Sequence, residues 1–409
     1  MKNLSYLLLI LVFFACKTED KNKEKLLETK LKEGLYRADL KIDDSITIPF
    51  SFKVKDETHL TILNADEEIL VDEITYNKDS VYIKLPVFEG VIKAKIDEQK
   101  LIGKFIMPEK GRQMDFNASL NSNRFDSAEE AKRNVEGVWE TVFSPGSKED
   151  SYNAKGIFKQ NGNKVTGTFR TTTGDYRYLE GIIDGNQLKL STFDGAHAFL
   201  FTGKVSDSLI KGHFYSGAHW KEPFTAKRNL DYELPSADSL TYLKEGYDKI
   251  VFSFPDEKGK QISLDDERYR DKVVLVQIMG TWCPNCLDES TYLSDYYKKN
   301  KSDNFEIVAL AFEYAKTKEK AFKNINRLKD RLKITYPILL AQVGSSSKSE
   351  ANDKLPMLNH VLSYPTTIFI DKKGKVRKIH TGFNGPATGE KHTEFKTEFE
   401  HFVQELINE

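Results

Sequence analysis

From Gly34 to about Asn229 the chain alternates apolar and polar residues in short runs, as in Ile46 to Val54, Val81 to Leu85, Val165 to Phe169 and Leu188 to Leu190. A period of two sends successive side chains to opposite faces of a strand, so this stretch predicts an all-β region. Asn161-Gly162-Asn163 and Asp184-Gly185-Asn186 fall between such runs, where hairpin turns need residues that tolerate positive φ. The pattern also repeats, at a spacing of slightly over one hundred residues. Gly34-Leu35-Tyr36 is echoed by Gly137-Val138-Trp139, and Phe88-Glu89-Gly90 by Phe193-Asp194-Gly195. Leu101 to Phe105 is then echoed by Ile210 to Phe214, and Phe116-Asn117-Ala118 by Phe224-Thr225-Ala226, all in the same order. Two related β units are expected, at 34–121 and 137–230, each a small antiparallel sandwich or barrel-like sheet, or half of one shared barrel. The polar stretches 122–136 and 231–248 read as linkers.

After Leu234-Pro235-Ser236-Ala237-Asp238 the pattern changes. Val273 to Met279 is almost wholly apolar, as in a parallel-sheet strand covered on both faces. Leu287 to Lys299 reads as a helix and Lys316 to Leu332 as a basic surface helix. Glu394 to Ile407 places Phe395, Phe399, Phe402, Val403 and Leu406 at the spacing of a closing amphipathic helix. The expected architecture is α+β and multidomain: a duplicated N-terminal β region followed by an α/β domain over 249–409.

At the N-terminus, Lys2, the apolar run Leu7 to Phe14 and the small Ala15 have the layout of a signal peptide over residues 1–15. The run is too short to span a bilayer, which takes about 20 residues. Cys16 stands where a bacterial lipoprotein is cut and lipidated, although Phe13 and Phe14 depart from the commonest lipobox; ordinary secretion with an incidental cysteine is the alternative. Residues 16–33, rich in Lys and Glu, then read as a lipid anchor and solvated tether. The expected location is the bacterial cell envelope, lipid-anchored and facing the periplasm or the cell surface.

Bulk composition narrows the partners. Of 409 residues, 61 are basic and 62 acidic, so no global field exists to attract nucleic acid, which is not an expected partner. The three cysteines, Cys16, Cys283 and Cys286, exclude a disulfide-stapled scaffold. His197, His213 and His219 lack ligand spacing and read as surface or packing residues rather than a metal site.

Gly280-Thr281-Trp282-Cys283-Pro284-Asn285-Cys286 joins the buried strand to the helix. A helix N-terminus offers backbone N–H groups and the positive end of the dipole to the first cysteine and favours its thiolate. Cys283 is therefore the expected nucleophile, and Cys286, one turn on, the expected resolving thiol. Half of a zinc site is the competing reading, but no second ligand pair is evident, and no metal is expected.

These residues resemble the thioredoxin superfamily, and within it the exported TlpA/ResA-type branch. The resemblance covers roughly Lys249 to Glu409: Gly-Thr-Trp-Cys at 280–283, the strand Phe305 to Phe312, Tyr364-Pro365-Thr366-Thr367-Ile368-Phe369-Ile370-Asp371, and the Lys372 to Lys375 turn with Val376. It implies that Pro365 is the family's cis-proline, that the backbone of Tyr364 pairs with substrate, and that Trp282 and Pro284 support the site. Glu313 lies near an acidic position that takes part in proton transfer in this branch; a plain strand-end glutamate is the other reading. Gln277 stands where cytosolic thioredoxin has a buried Asp. The implied function is reduction of disulfides in cysteine-containing exported proteins, with a membrane-embedded electron donor and no cofactor beyond the Cys283–Cys286 pair. An oxidase or isomerase direction remains open, as does a binding lipoprotein whose β repeats carry the main role.

Overall fold

The computed structural model describes residues 29–409; the signal peptide, Cys16 and most of the tether lie outside the described residues. The end of the expected tether is already part of the fold. Thr29 N–H donates to Lys78 O at 2.9 Å, Leu31 is buried, and the Lys30 ammonium lies 4.1 Å from the Tyr76 ring centroid.

The first unit is a nine-stranded antiparallel sheet: β1 (Gly34–Lys41), β2 (Thr47–Val54), β3 (Leu60–Asn64), β4 (Glu67–Val71), β5 (Glu73–Asn77), β6 (Ser80–Lys84), β7 (Val91–Asp97), β8 (Lys100–Met107) and β9 (Arg112–Leu120). Its order is β4-β3-β2-β1-β9-β8-β7-β6-β5. The second unit follows the same meander with β10 (Gly137–Phe143), β11 (Tyr152–Asn161), β12 (Lys164–Thr171), β13 (Gly174–Asp175), β14 (Leu179–Asp184), β15 (Gln187–Phe193), β16 (Ala198–Val205), β17 (Leu209–Ser216) and β18 (Trp220–Arg228). Here β11 also pairs with β12, which closes the sheet into a barrel, whereas the first sheet stays open between β4 and β5.

The repeat read from the sequence is a repeat of register. Leu40 faces Phe116 and Ala38 faces Ala118 in the first unit, as Phe143 faces Phe224 and Thr141 faces Ala226 in the second. Gly103 and Gly212 occupy the same point: a Cβ there would stand 1.9 Å from Lys93 O and 2.0 Å from Thr202 O respectively, so both copies need glycine for strand approach.

An open sheet exposes its core, and the second unit covers it. Phe193, fully buried, leaves its own barrel and stacks on Phe50 at 4.2 Å, with its ring edge-on to Phe105 at 5.0 Å. The segment 122–136 is likewise no free linker. Buried Arg124 donates to Leu63 O in the first unit and to Ser191 O in the second, stapling the two sheets through backbone acceptors.

The C-terminal domain has β19 (Ser253–Pro255) paired with β20 (Gln261–Ser263), then β21 (Val273–Met279), α1 (Pro284–Asn300), β22 (Phe305–Glu313), α2 (Lys318–Leu332), β23 (Ile338–Val343), α3 (Lys348–Lys354), β24 (Thr366–Ile370), β25 (Val376–Thr381) and α4 (Glu390–Asn408). The five-stranded sheet runs β23-β22-β21-β24-β25, with β21 to β23 parallel and β24 and β25 antiparallel, which is the thioredoxin arrangement. The expected linker 231–248 packs along it: Thr241 is buried and bonded to Thr381, and Lys244 N–H donates to Met357 O.

The helix read as a basic surface element, α2, is also docked. Arg331 pairs with Asp72 at 2.7 Å, Arg327 with Glu73, and Lys320 with Glu89, so its cations face acidic loops of the first unit. Between these loops Val87 and Phe88 enter the core of the C-terminal domain.

Candidate active site

The strand β21 is buried along its whole length, which fixes the height at which the chain leaves the sheet. It ends in Gly280 to Trp282, and Cys283 caps α1 with Pro284 in the first turn. Proline suits that position because its missing N–H would have no helical partner. The Cys286 N–H points at Cys283 Sγ at 3.4 Å, and the Cys283 thiol donates to Tyr364 O at 3.3 Å. The Tyr364–Pro365 bond is cis, so the expected proline stands beside the cysteine. Both cysteines are free thiols; Cys283 is 8% exposed and Cys286 fully buried.

Trp282 is half-buried: its indole N–H donates to Phe312 O at 2.9 Å, and its ring lies edge-on to Tyr364 at 5.5 Å. Glu313 is buried and holds the turn before the cysteines, accepting from Thr281 N–H at 2.8 Å and from Thr281 Oγ1 at 2.7 Å. Burial raises its carboxyl to about 7 against the two Thr281 hydrogen bonds.

The acid beneath Cys286 is one that the sequence reading passed over. Glu289, three residues beyond Cys286 on α1, is completely buried and accepts from Gln277 Nε2 at 2.7 Å and from Thr367 Oγ1 at 2.8 Å. Burial raises it to about 7. The carboxylate absent at position 277 is thus supplied from the helix, with Gln277 as its donor. A signal existed, since Cys286, Glu289, Ser290, Leu293 and Tyr297 form one buried helical face. Cys286 itself is pushed well above the usual thiol range by burial, then by the neighbouring Cys283 thiol, with Glu289 adding to the effect.

The β units close in on this centre, which the sequence did not indicate. Arg177 of the second unit donates to Pro284 O at 3.2 Å and to Asp288 Oδ2 at 2.6 Å, and it also pairs with Glu67 of the first unit. On the other side Lys110 and Phe88 of the first unit share a cavity with Thr281 and Trp282. The three histidines do not assemble: His197 bonds Asp194, His219 meets Arg112, and His213 lies tilted against Tyr215.

A Cys-x-x-Cys pair capping the first helix of a thioredoxin sheet, beside a cis-proline, defines a thiol-disulfide oxidoreductase. The Redoxin family matches residues 245–395. Thioredoxin-like protein YneN of Bacillus subtilis is 31% identical over 140 residues, covering 34% of this chain and 73% of that protein. Thiol-disulfide oxidoreductase ResA of Bacillus subtilis is 31% identical over 140 residues, covering 34% of this chain and 69% of that one. Among solved structures, a thiol-disulfide oxidoreductase from Bacteroides fragilis aligns with 24% identity and a TM-score of 0.27, over 36% of this chain and 99% of that one. Through its C-terminal domain the chain belongs to the thioredoxin superfamily, alongside ResA and YneN. The β units lie outside the matched region.

Proposed function

We propose that this chain is a membrane-anchored, extracytoplasmic reductase of protein disulfides. The observation that carries the reading is the asymmetry of the pair: Cys283 accepts an N–H at the mouth of α1, while Cys286 lies fully buried above Glu289. Cys283, as thiolate, attacks one sulfur of a client disulfide; a Cys283–client bond forms and the other client sulfur leaves as thiolate, taking a proton. Cys286 then loses its proton toward Glu289 and attacks Cys283 Sγ. The Cys283–Cys286 disulfide forms and the second client thiolate departs, so the client gains two electrons that the pair loses. A dithiol donor in the membrane restores them by the same exchange in reverse.

Support for the reducing direction is electrostatic. Burial and the neighbouring Glu289 carboxyl disfavour a thiolate at Cys286, and the less a reduced pair is stabilised as thiolate, the more readily it gives up electrons. Trp282 and the Tyr364 carbonyl supply the contact surface for the client. The anchor and the extracytoplasmic setting rest on the signal-peptide layout and Cys16, and the clients on this reading are exported proteins containing cysteines. The test is trapping in cells. Cys286→Ser accumulates mixed disulfides through Cys283 that dithiothreitol releases, while Cys283→Ser accumulates none. Equal adducts in the two variants, or none in either, would overturn the assignment.

A further inference from the structure

Two segments flank the Cys283 thiol and a third adjoins them. The first is Pro284-Asn285, the opening of α1; the second is Ser363-Tyr364, whose Tyr364 carbonyl accepts from Cys283. The third is Gly382 to Gly385, joined to the second by the Gly382 N–H donating to Pro365 O at 2.9 Å. The Thr171–Arg177 hairpin of the second β unit already stands on all three.

Asn285 Nδ2 donates to Asp175 O at 3.3 Å, Ser363 Oγ donates to Thr173 O at 2.8 Å, and Gly385 N–H donates to Asp175 Oδ2 at 2.6 Å. Arg170, at the foot of the hairpin, reaches Asn384 at 3.0 Å. The fit is shaped as well as bonded. A Cβ on Gly174 would stand 1.9 Å from Asn285 Nδ2, and one on Gly382 would stand 2.8 Å from the Thr173 carbonyl carbon. Gly174 and Asp175, the short strand of the hairpin, are buried. The hairpin thus offers backbone carbonyls to the side chains of Asn285 and Ser363, and a carboxylate to the Gly385 backbone. On the other flank the first unit lines a small cavity with Thr281 and Trp282, and Phe88 and Lys110 are in its wall.

We propose that the Thr171–Arg177 hairpin selects the clients of Cys283 by occupying one flank of its approach, so that a disulfide on a narrow, locally unfolded segment is admitted and the surface of a folded protein is refused. This rests on the reductase reading for its clients but not for its geometry, and the two are separable by experiment.

Alkylation of reduced Cys283 in the full-length protein, read by mass on the peptide that contains it, needs no redox activity. Iodoacetamide and a maleimide carrying a long polyethylene glycol chain are compared. Wild-type protein is expected to disfavour the large reagent, relative to its rate on free cysteine, by at least about tenfold, a factor that corresponds to roughly 1.4 kcal/mol. Gly174→Ala, which drives a methyl into Asn285, and Asp175→Ala, which frees Gly385, are both expected to erase most of that discrimination while circular dichroism shows the sheets intact. The two act on different loops, so one folded variant suffices. In turnover, the same variants should gain on insulin relative to an unstructured disulfide peptide. No size discrimination in the wild type, or discrimination unchanged in a folded variant, overturns the proposal. Altered alkylation without any disulfide exchange would instead sink the reductase reading and leave the gate standing.

Discussion

Glu289 shows how a single side chain can be plain in the structure and hidden in the sequence. Its helical face was legible, because Leu293 and Tyr297 mark the buried side of α1. Its role was not, because a carboxyl within the buried stripe of a helix carries no mark of what it faces; Glu313, the acid expected at the strand end, holds the Thr281 turn beside the cysteines. Both carboxyls sit near 7 in the folded chain against an ordinary 4.5. The folded state therefore binds their protons more tightly than the unfolded chain does. The stability this brings is complete below about pH 4.5 and is withdrawn as pH rises through about 7, on the order of 3 kcal/mol for each group. Glu289→Gln should accordingly reduce the fall in urea midpoint between pH 5 and pH 8. The same substitution removes the proton acceptor for Cys286. Resolution of the mixed disulfide, followed by stopped flow, should slow by about 10²-fold and lose its rise with pH near 7. A variant that keeps both the rate and the pH rise would remove Glu289 from the chemistry.

Among the elements, the strands were read well where alternation and turn residues agreed, and the duplication was legible because both copies retain a glycine at the same close strand approach. What the pattern could not express is the use of a polar segment as mortar. Residues 122–136 resemble a tether in composition, yet Arg124 is buried with backbone carbonyls of both sheets as its acceptors. Likewise α2 looks like a solvated basic helix until its partners Asp72, Glu73 and Glu89 are known. Such exposed pairs contribute little each, at most about 1 kcal/mol, so the apolar contacts hold the units together. Phe193 is the plainest of these. Phe193→Ala should cost about 3–5 kcal/mol in chemical denaturation, since it empties a site in the core of the first unit. A cost below about 1 kcal/mol would show that the open sheet does not depend on its neighbour.

In the whole molecule the two β units and the redox domain form one site rather than beads on a string. Val87 and Phe88 enter the core of the C-terminal domain, Phe193 fills the first unit, and Arg177 joins Glu67, Asp288 and the Pro284 carbonyl across all three. None of this was legible, because contacts between distant segments leave no periodicity in a single chain. The position of the cysteines was, because strand, loop and helix follow each other within thirty residues. The central claim, that the Cys283–Cys286 pair donates electrons to client disulfides, is tested most directly by its equilibrium reduction potential in the intact protein against glutathione. A donor pair should give a value of about −270 mV, in the range of reducing thioredoxins, whereas a value of about −120 mV, that of a strong oxidant, would contradict electron donation.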